Sequence, residues 1–284
     1  MPELPEVETI KRQLGDVLVG EEIVLVRVLR EKSFQGNEEE LEGRRIRVIS
    51  RRAKMLVFEF DDWDKCLLVH LKMTGQLVFV AENLRLAGGH PSADWVNSLP
   101  SKHTRVIFEF KRGGKLFFND LRVFGWVKLI SLDDYQLLVE KLPPDVVDDS
   151  FIKDYFRKVI GNSGRQIKLV LMDQAKFGGM GNIYANDALF LAGIDPRRRA
   201  DSLGIKEQDR LFEAVKLVIS EGIEYGGATA ADEKYVDVSG LGGKYQEHFR
   251  VYERNGKECL VCGEKIRKIS LGGRGTYFCE KCQK

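Results

Sequence analysis

Hydrophobic and polar positions change rhythm twice along the chain. Behind Pro5, Val7, Ile10 and Leu14 recur at helical spacing, which predicts an amphipathic helix from Pro5 to about Leu14. From Glu22 to Ile130 the pattern turns into short apolar or alternating runs: EIVLVRVL, RRIRVIS, MLVFEF, CLLVHL, QLVFV, RVIFEF, KLFF and VFGWVKLI. Turn material such as EGRR, DDWD and KRGGK separates them. About eight strands with no helical period between them predict an antiparallel sandwich or barrel. Residues 82–103 follow neither rhythm and read as a long loop.

Past Leu132, apolar residues return at spacings of three and four in DDYQLLVEKL, SFIKDYFRKVI, RQIKLVLMD, NIYANDALFLAG and KEQDRLFEAVKLVISEGIEYG. About five helices are expected over 132–225. Residues 228–251, polar and glycine-rich, read as a mobile loop, and a cysteine-bearing module closes the sequence. The fold class is multidomain α+β, with a strand-rich part at 1–131, a helical part at 132–250 and the module at 251–284.

Composition narrows the class. With 284 residues, 43% hydrophobic and 31% charged, the chain has an ordinary globular make-up and room for two cores. There is no apolar stretch of membrane-spanning length and no signal peptide, so no membrane partner is expected and a cytoplasmic location is the default. A net charge of +2 does not by itself argue for nucleic acid. From Lys244 to Lys284, however, ten Lys or Arg face five Glu, a local +5. Four thiolates around one Zn²⁺ would leave +3, still a basic patch.

Cys66 stands alone in an apolar run and reads as a buried, inert thiol. The other four form Cys259-x2-Cys262 and Cys279-x2-Cys282, separated by sixteen residues. Each pair suits a tight turn aiming two thiolates at one tetrahedral zinc; disulfides are the alternative, and a cytosolic chain disfavours them.

Several stretches could carry chemistry. MPELPEVETI admits two readings. In the first, Pro5 and the acids Glu6 and Glu8 simply start a helix. In the second, removal of Met1 exposes the secondary amine of Pro2, with a pKa of roughly 7.7 to 8, which can attack an electrophilic carbon while Glu3 shuttles protons. KFGGMGNIYANDALF places three glycines ahead of a helix whose opening N–H groups suit an anion; Asn182 could cap that helix or donate to a phosphate. LGGRGTYFC resembles a hairpin tip, with Arg274 either solvated or lying against a phosphate. RRAKML offers Arg51, Arg52 and Lys54. HLKMTGQL and DLRVFGWV set Met73 and Phe124 close to Gly75 and Gly125, as turns that project apolar side chains; either could be core. Phe124 with Arg122 would also suit a wedge filling the gap left by an extruded base.

Taken together, PELPEVET, RRAK, HLxMTGxL, LRVFG, GxGNIYANDALFLAGIDP and CxxC…GGRGTYFCxxCQ resemble the formamidopyrimidine-DNA glycosylases over the whole chain. The resemblance implies an N-terminal β-sandwich, a helix-two-turn-helix domain with a lesion-capping loop near 228–250, and a zinc finger. Double-stranded DNA with oxidised bases or abasic sites would lie between the lobes. It implies a bifunctional glycosylase and AP lyase for oxidised purines, monomeric, with one structural Zn²⁺ on Cys259, Cys262, Cys279 and Cys282 and no organic cofactor. Pro2 would attack C1′, Glu3 would move protons, Glu6 would hold or polarise the sugar, and Lys54 would contact flanking phosphates. Met73, Arg122 and Phe124 would fill the duplex void. His70, Asn182, Tyr252 and Arg274 would contact phosphates, and the segment around 239–246 would close over the everted purine. The protein would be cytoplasmic and nucleoid-associated when bound to DNA. Lys72 stands where the family pattern carries glycine, and Leu121 and Val123 where it carries proline and a second arginine. Two other readings remain: an endonuclease VIII-like enzyme for oxidised pyrimidines, disfavoured by PELPEV in place of PEGPEI, and a catalytically silent damaged-DNA-binding module.

Overall fold

Glu3 closes the amino end of the first helix. In the computed structural model, which describes residues 2–89, 98–228 and 243–284, helix α1 spans Leu4–Leu18 and the Glu6 carboxylate accepts the Glu3 N–H at 2.7 Å. Pro5 is thus the second helical residue rather than the first, still among the positions whose N–H has no intrahelical partner. The helix runs past Leu14 because Leu18 continues the buried stripe of Val7, Ile10 and Leu14.

By backbone contacts the chain falls into two compact units, 1–141 with 226–243, and 142–225 with 244–284. Among the described residues of the first unit ten strands follow α1: β1 (Ile23–Val28), β2 (Phe34–Gln35), β3 (Ile46–Arg52), β4 (Met55–Phe60), β5 (Lys65–His70), β6 (Gly75–Ala81), β7 (Leu84–Gly89), β8 (Thr104–Phe110), β9 (Lys115–Asp120) and β10 (Trp126–Ser131). They make two five-stranded sheets, β1-β8-β9-β6-β7 and β2-β10-β5-β4-β3, antiparallel except for the short β2–β10 pair. Alternate residues explain the sandwich. Leu77, Phe79, Phe108 and Phe118 enter the common core with Leu56, Phe58, Leu67 and Val69, while their neighbours face outward. The near-continuous apolar runs MLVFEF and CLLVHL arise because the outer face is covered too: Val57, Cys66 and Leu68 pack under Leu132, Tyr135 and Leu138 of helix α2 (Leu132–Glu140). Cys66 is fully buried, and burial, reinforced by Glu59, pushes its thiol up to about 12, consistent with an inert group.

Strand β7 corrects the expected loop over 82–103. It pairs with β6, Leu86 opposite Phe79, although ENLRLAGG reads as turn material. Its glycines serve contact rather than turning: a Cβ at Gly88 would lie 2.3 Å from Ile10 Cγ1 of α1. Residues 90–97 of that stretch lie outside the described residues.

The second unit contains α3 (Lys153–Gly161), α4 (Ile167–Leu171), α5 (Asn182–Ala192) and α6 (Ile205–Glu224), so five helices do occupy 132–225. Phe151, Phe156, Phe177 and Phe212 form an aromatic cluster among them. Strands β11 (Arg267–Leu271) and β12 (Arg274–Phe278) form the expected hairpin. Of the loop expected over 228–251, Tyr245–His248 form a 3-10 turn with Tyr245 buried against Tyr184, and residues 229–242 lie outside the described ones. Among the described residues no helix is long and apolar enough to cross a membrane.

Candidate active site and nucleic-acid interface

Pro2 is buried directly ahead of the helix cap, and Glu3 is only 3% exposed. The Glu6 carboxylate joins two segments. Its Oε2 accepts the Glu3 N–H and its Oε1 accepts the Ala228 N–H at 2.8 Å. Gly227, at φ +83°, makes that approach possible, since a Cβ there would lie 2.9 Å from Glu6 Cγ. The backbone is equally tight between Gly227 and Gly243, where a Cβ on the latter would stand 2.4 Å from the Gly227 carbonyl oxygen. Of the segment expected to cap the lesion, 239–242 lies outside the described residues.

Lys54 sits on the tight β3–β4 turn, between the paired residues Arg52 and Met55, and is 4% exposed. Its neighbour Ala53 is left-handed at φ +51°. Arg51 donates from Nη1 to the Ala53 carbonyl at 2.7 Å and from Nε to Glu8 Oε2 at 3.0 Å, tying the turn to α1. Burial would raise the Glu8 pKa, but hydrogen bonds from Arg51 and Arg12 and the field of Lys11 more than offset it and hold the carboxyl below its ordinary range. His70 ends β5 opposite Met55 and Trp126. Burial first, then the charges of Lys72 and Lys54, bring its pKa down to about 3. Its Nδ1 accepts the Lys72 N–H at 3.0 Å, so the neutral ring carries its proton on Nε2.

The turns bearing Met73 and Arg122/Phe124 are joined underneath. Thr74 Oγ1 donates to Asp120 Oδ1 and accepts the Arg122 N–H at 3.0 Å. The fully buried Asp120 also accepts the N–H groups of Arg122 at 3.1 Å and Gly125 at 2.6 Å. Phe124 is 51% exposed, with the Arg122 guanidinium 4.7 Å from its ring centroid. Of the two glycine-flanked turns, then, the second projects its aromatic outward and keeps it out of the core. Lys72 at φ +50° and Val123 at φ +56°, just before Met73 and Phe124, hold left-handed conformations that suit glycine and strain a β-branched residue such as Val123.

In the second unit α5 organises the remaining candidates. Gly181 is its N-cap and Asn182 its first residue, with no side-chain cap, so the capping alternative for Asn182 is not realised. Gln174 braces the glycine turn, donating to the Met180 carbonyl at 2.5 Å and accepting the Gly179 N–H at 3.3 Å. Asp187, fully buried, accepts the N–H groups of Arg250, Val251 and Tyr252 at 3.1, 3.0 and 3.2 Å and thereby places Tyr252. Next to it Asn186 accepts the Tyr277 N–H at 2.8 Å, and the buried Lys168 donates to the Gly275 carbonyl at 2.8 Å. These bonds dock the β11–β12 hairpin and leave Arg274 exposed at its tip.

The four terminal cysteines converge. Their Sγ atoms all lie within 4.8 Å of one another, with Cys262–Cys279 at 3.5 Å and Cys259–Cys282 at 3.8 Å. Four thiolates on a tetrahedral zinc at about 2.3 Å would stand about 3.8 Å apart, so the donor set fits one structural Zn²⁺ with no open position.

Sequence reasoning missed the supporting layer: Glu8 as a partner of Arg51, Thr74 and Asp120 under the turns, Asp187 and Asn186 in α5. Only Asp187 carried a readable signal, an acid within the apolar run of NIYANDALFLAG.

Comparison with known proteins agrees with this layout. Family models match in three consecutive stretches: the formamidopyrimidine-DNA glycosylase N-terminal domain at 1–127, the formamidopyrimidine-DNA glycosylase H2TH domain at 142–234, and a zinc finger found in FPG and IleRS at 256–284. A formamidopyrimidine-DNA glycosylase of Pelotomaculum thermopropionicum is 38% identical, the match covering 100% of this chain and 99% of that protein. A solved complex between Lactococcus lactis Fpg and DNA containing FAPY-dG superposes with a TM-score of 0.85 at 32% identity, covering 99% of this chain and 100% of that one. A complex of the wild-type Lactococcus lactis protein with DNA containing an oxidised pyrimidine superposes with a TM-score of 0.86 at 32% identity over 100% of both chains.

Proposed function

The chain belongs to the formamidopyrimidine-DNA glycosylase family, and on that premise we propose a base-excision-repair DNA glycosylase and AP lyase that removes 8-oxoguanine and formamidopyrimidines. The observation that carries the site is the cluster at the start of α1, where Pro2 is followed at once by the buried Glu3 and, one turn on, by Glu6. Once Met1 is removed, the Pro2 amine attacks C1′ of the damaged nucleotide. The bond from C1′ to the base breaks and the base leaves with a proton. Ring opening, with Glu3 moving the proton at the sugar oxygen, gives an iminium between Pro2 and C1′. Loss of a C2′ proton then expels the 3′ phosphate, a second elimination expels the 5′ phosphate, and hydrolysis of the iminium frees the enzyme. Glu6 holds the sugar, and the Lys54 ammonium binds flanking phosphates and assists the eliminations.

Met73, Arg122 and Phe124 occupy the void left by the everted base, while His70, Asn182, Tyr252 and Arg274 grip the backbone. Zinc supplies a fixed hairpin and takes no part in bond breaking. The protein then works in the cytoplasm, on the nucleoid when bound to DNA. Oxidised pyrimidines are the second substrate to test, since a relative has been captured with one.

Borohydride trapping tests the proposal. With duplex DNA carrying one 8-oxoguanine opposite cytosine, reduction is expected to yield a covalent adduct mapped to Pro2. Pro2→Gly is expected to remove base excision while leaving DNA affinity within several-fold. An adduct with thymine glycol but none with 8-oxoguanine would move the substrate to pyrimidines, and DNA binding with neither adduct would leave a silent module.

A further inference from the structure

Three acids open α1, and the proposed chemistry uses only Glu3 and Glu6. Glu8, 12% exposed at its side chain, takes three cations: Lys11 at 3.2 Å, Arg12 at 3.0 Å and Arg51 at 3.0 Å. Lys11 and Arg12 lie one helical turn away and stay 32% and 59% exposed, as weak surface pairs do. Arg51 differs. Its side chain is 6% exposed, it comes from β3, and its second bond goes to the Ala53 carbonyl. Ala53 holds a left-handed conformation that is unfavourable for an alanine. A charge-assisted bond to its carbonyl helps to hold that conformation, and the next residue is the buried Lys54.

We propose that Glu8 is a positioning residue for Lys54, acting through Arg51 and the Ala53 carbonyl. The carboxylate aims the guanidinium, the guanidinium fixes the turn, and the turn fixes where the Lys54 ammonium starts. The inference rests on the reading that Lys54 acts in the reaction.

A double-mutant cycle separates the two claims. Single-turnover strand cleavage of an 8-oxoguanine duplex would be measured, with enzyme in excess, for the full-length wild type, Glu8→Gln, Lys54→Ala and the double variant. DNA affinity and thermal midpoint would be followed in parallel. Glu8→Gln is expected to slow cleavage roughly tenfold, as a sub-ångström misplacement would, with affinity within about twofold. The double variant is expected to be no slower than Lys54→Ala alone. If the two losses multiply, Glu8 acts independently of Lys54 and the proposal is overturned. Wild-type cleavage by Lys54→Ala would instead overturn the role given to Lys54, and with it the relay. Should Glu8→Gln not fold, Arg51→Lys replaces it: lysine keeps the charge but lacks the fork that reaches Glu8 and Ala53 together. The same loss and the same non-additivity are expected, and an unchanged rate would refute the relay.

Discussion

A half-buried neutral histidine makes a pH statement. Because His70 titrates at about 3 when folded and at 6.5 in its ordinary state, the unfolded chain binds the extra proton between those values. Stability from this group is complete above 6.5 and drains away as pH falls toward 3, by up to about 1.4 kcal/mol per pH unit. Urea denaturation at pH 7.5 and pH 5 should show that loss in the wild type and a smaller one in His70→Asn; equal losses would assign the slope to other groups. Glu8 acts in a lower window. Its folded pKa lies below 4.5, so its contribution is present above 4.5 and lost as pH falls through the depressed value. The paired cysteines were legible in the sequence because few other arrangements need them. Glu8 and Asp120 were not, because an acid looks the same in sequence whether it faces solvent or a buried N–H.

Among elements, the paired turns at 71–75 and 121–125 depend on close backbone approach. A Cβ at Gly125 would lie 2.8 Å from Phe118 Cζ and 3.1 Å from both Asp120 Oδ2 and the His70 carbonyl. Gly125→Ala is therefore expected to cost about 1–3 kcal/mol in thermal denaturation. It should also slow excision from an intact duplex more than cleavage at a preformed abasic site, where no base must leave the stack. Equal slowing of both would mean that the turn does not serve extrusion. Periodicity revealed the helices and most strands here, since burial on one face writes itself into spacing. It failed for β7, an edge strand held by its partner β6 and by Ile10 against Gly88, where glycine marks contact instead of a turn.

At the scale of the whole molecule, order near the carboxyl end depends on one metal site and two helices. Asn186 and Lys168 dock the hairpin from one side and the cysteine cluster ties its base from the other. Chelation should release one zinc per chain, measurable by mass spectrometry, and lower the slope of log affinity against log salt by about one, as Arg274→Ala should. An unchanged slope would put Arg274 in solvent. This dependence was legible as a spacing of cysteines, but the docking side chains come from α4 and α5, 107 and 91 residues before their partners, and no local pattern connects them.

The pinch of Gly227 and Gly243 bears on how the family can diversify. Gly227 and Gly243 stand a backbone's width apart, and the entropy of joining two points so held changes by only about 0.6 kcal/mol for each doubling in the length of the connection. Changes of length between the two positions are then expected to be cheap in stability as long as both glycines are kept: the pinch works as a socket that tolerates what is plugged into it.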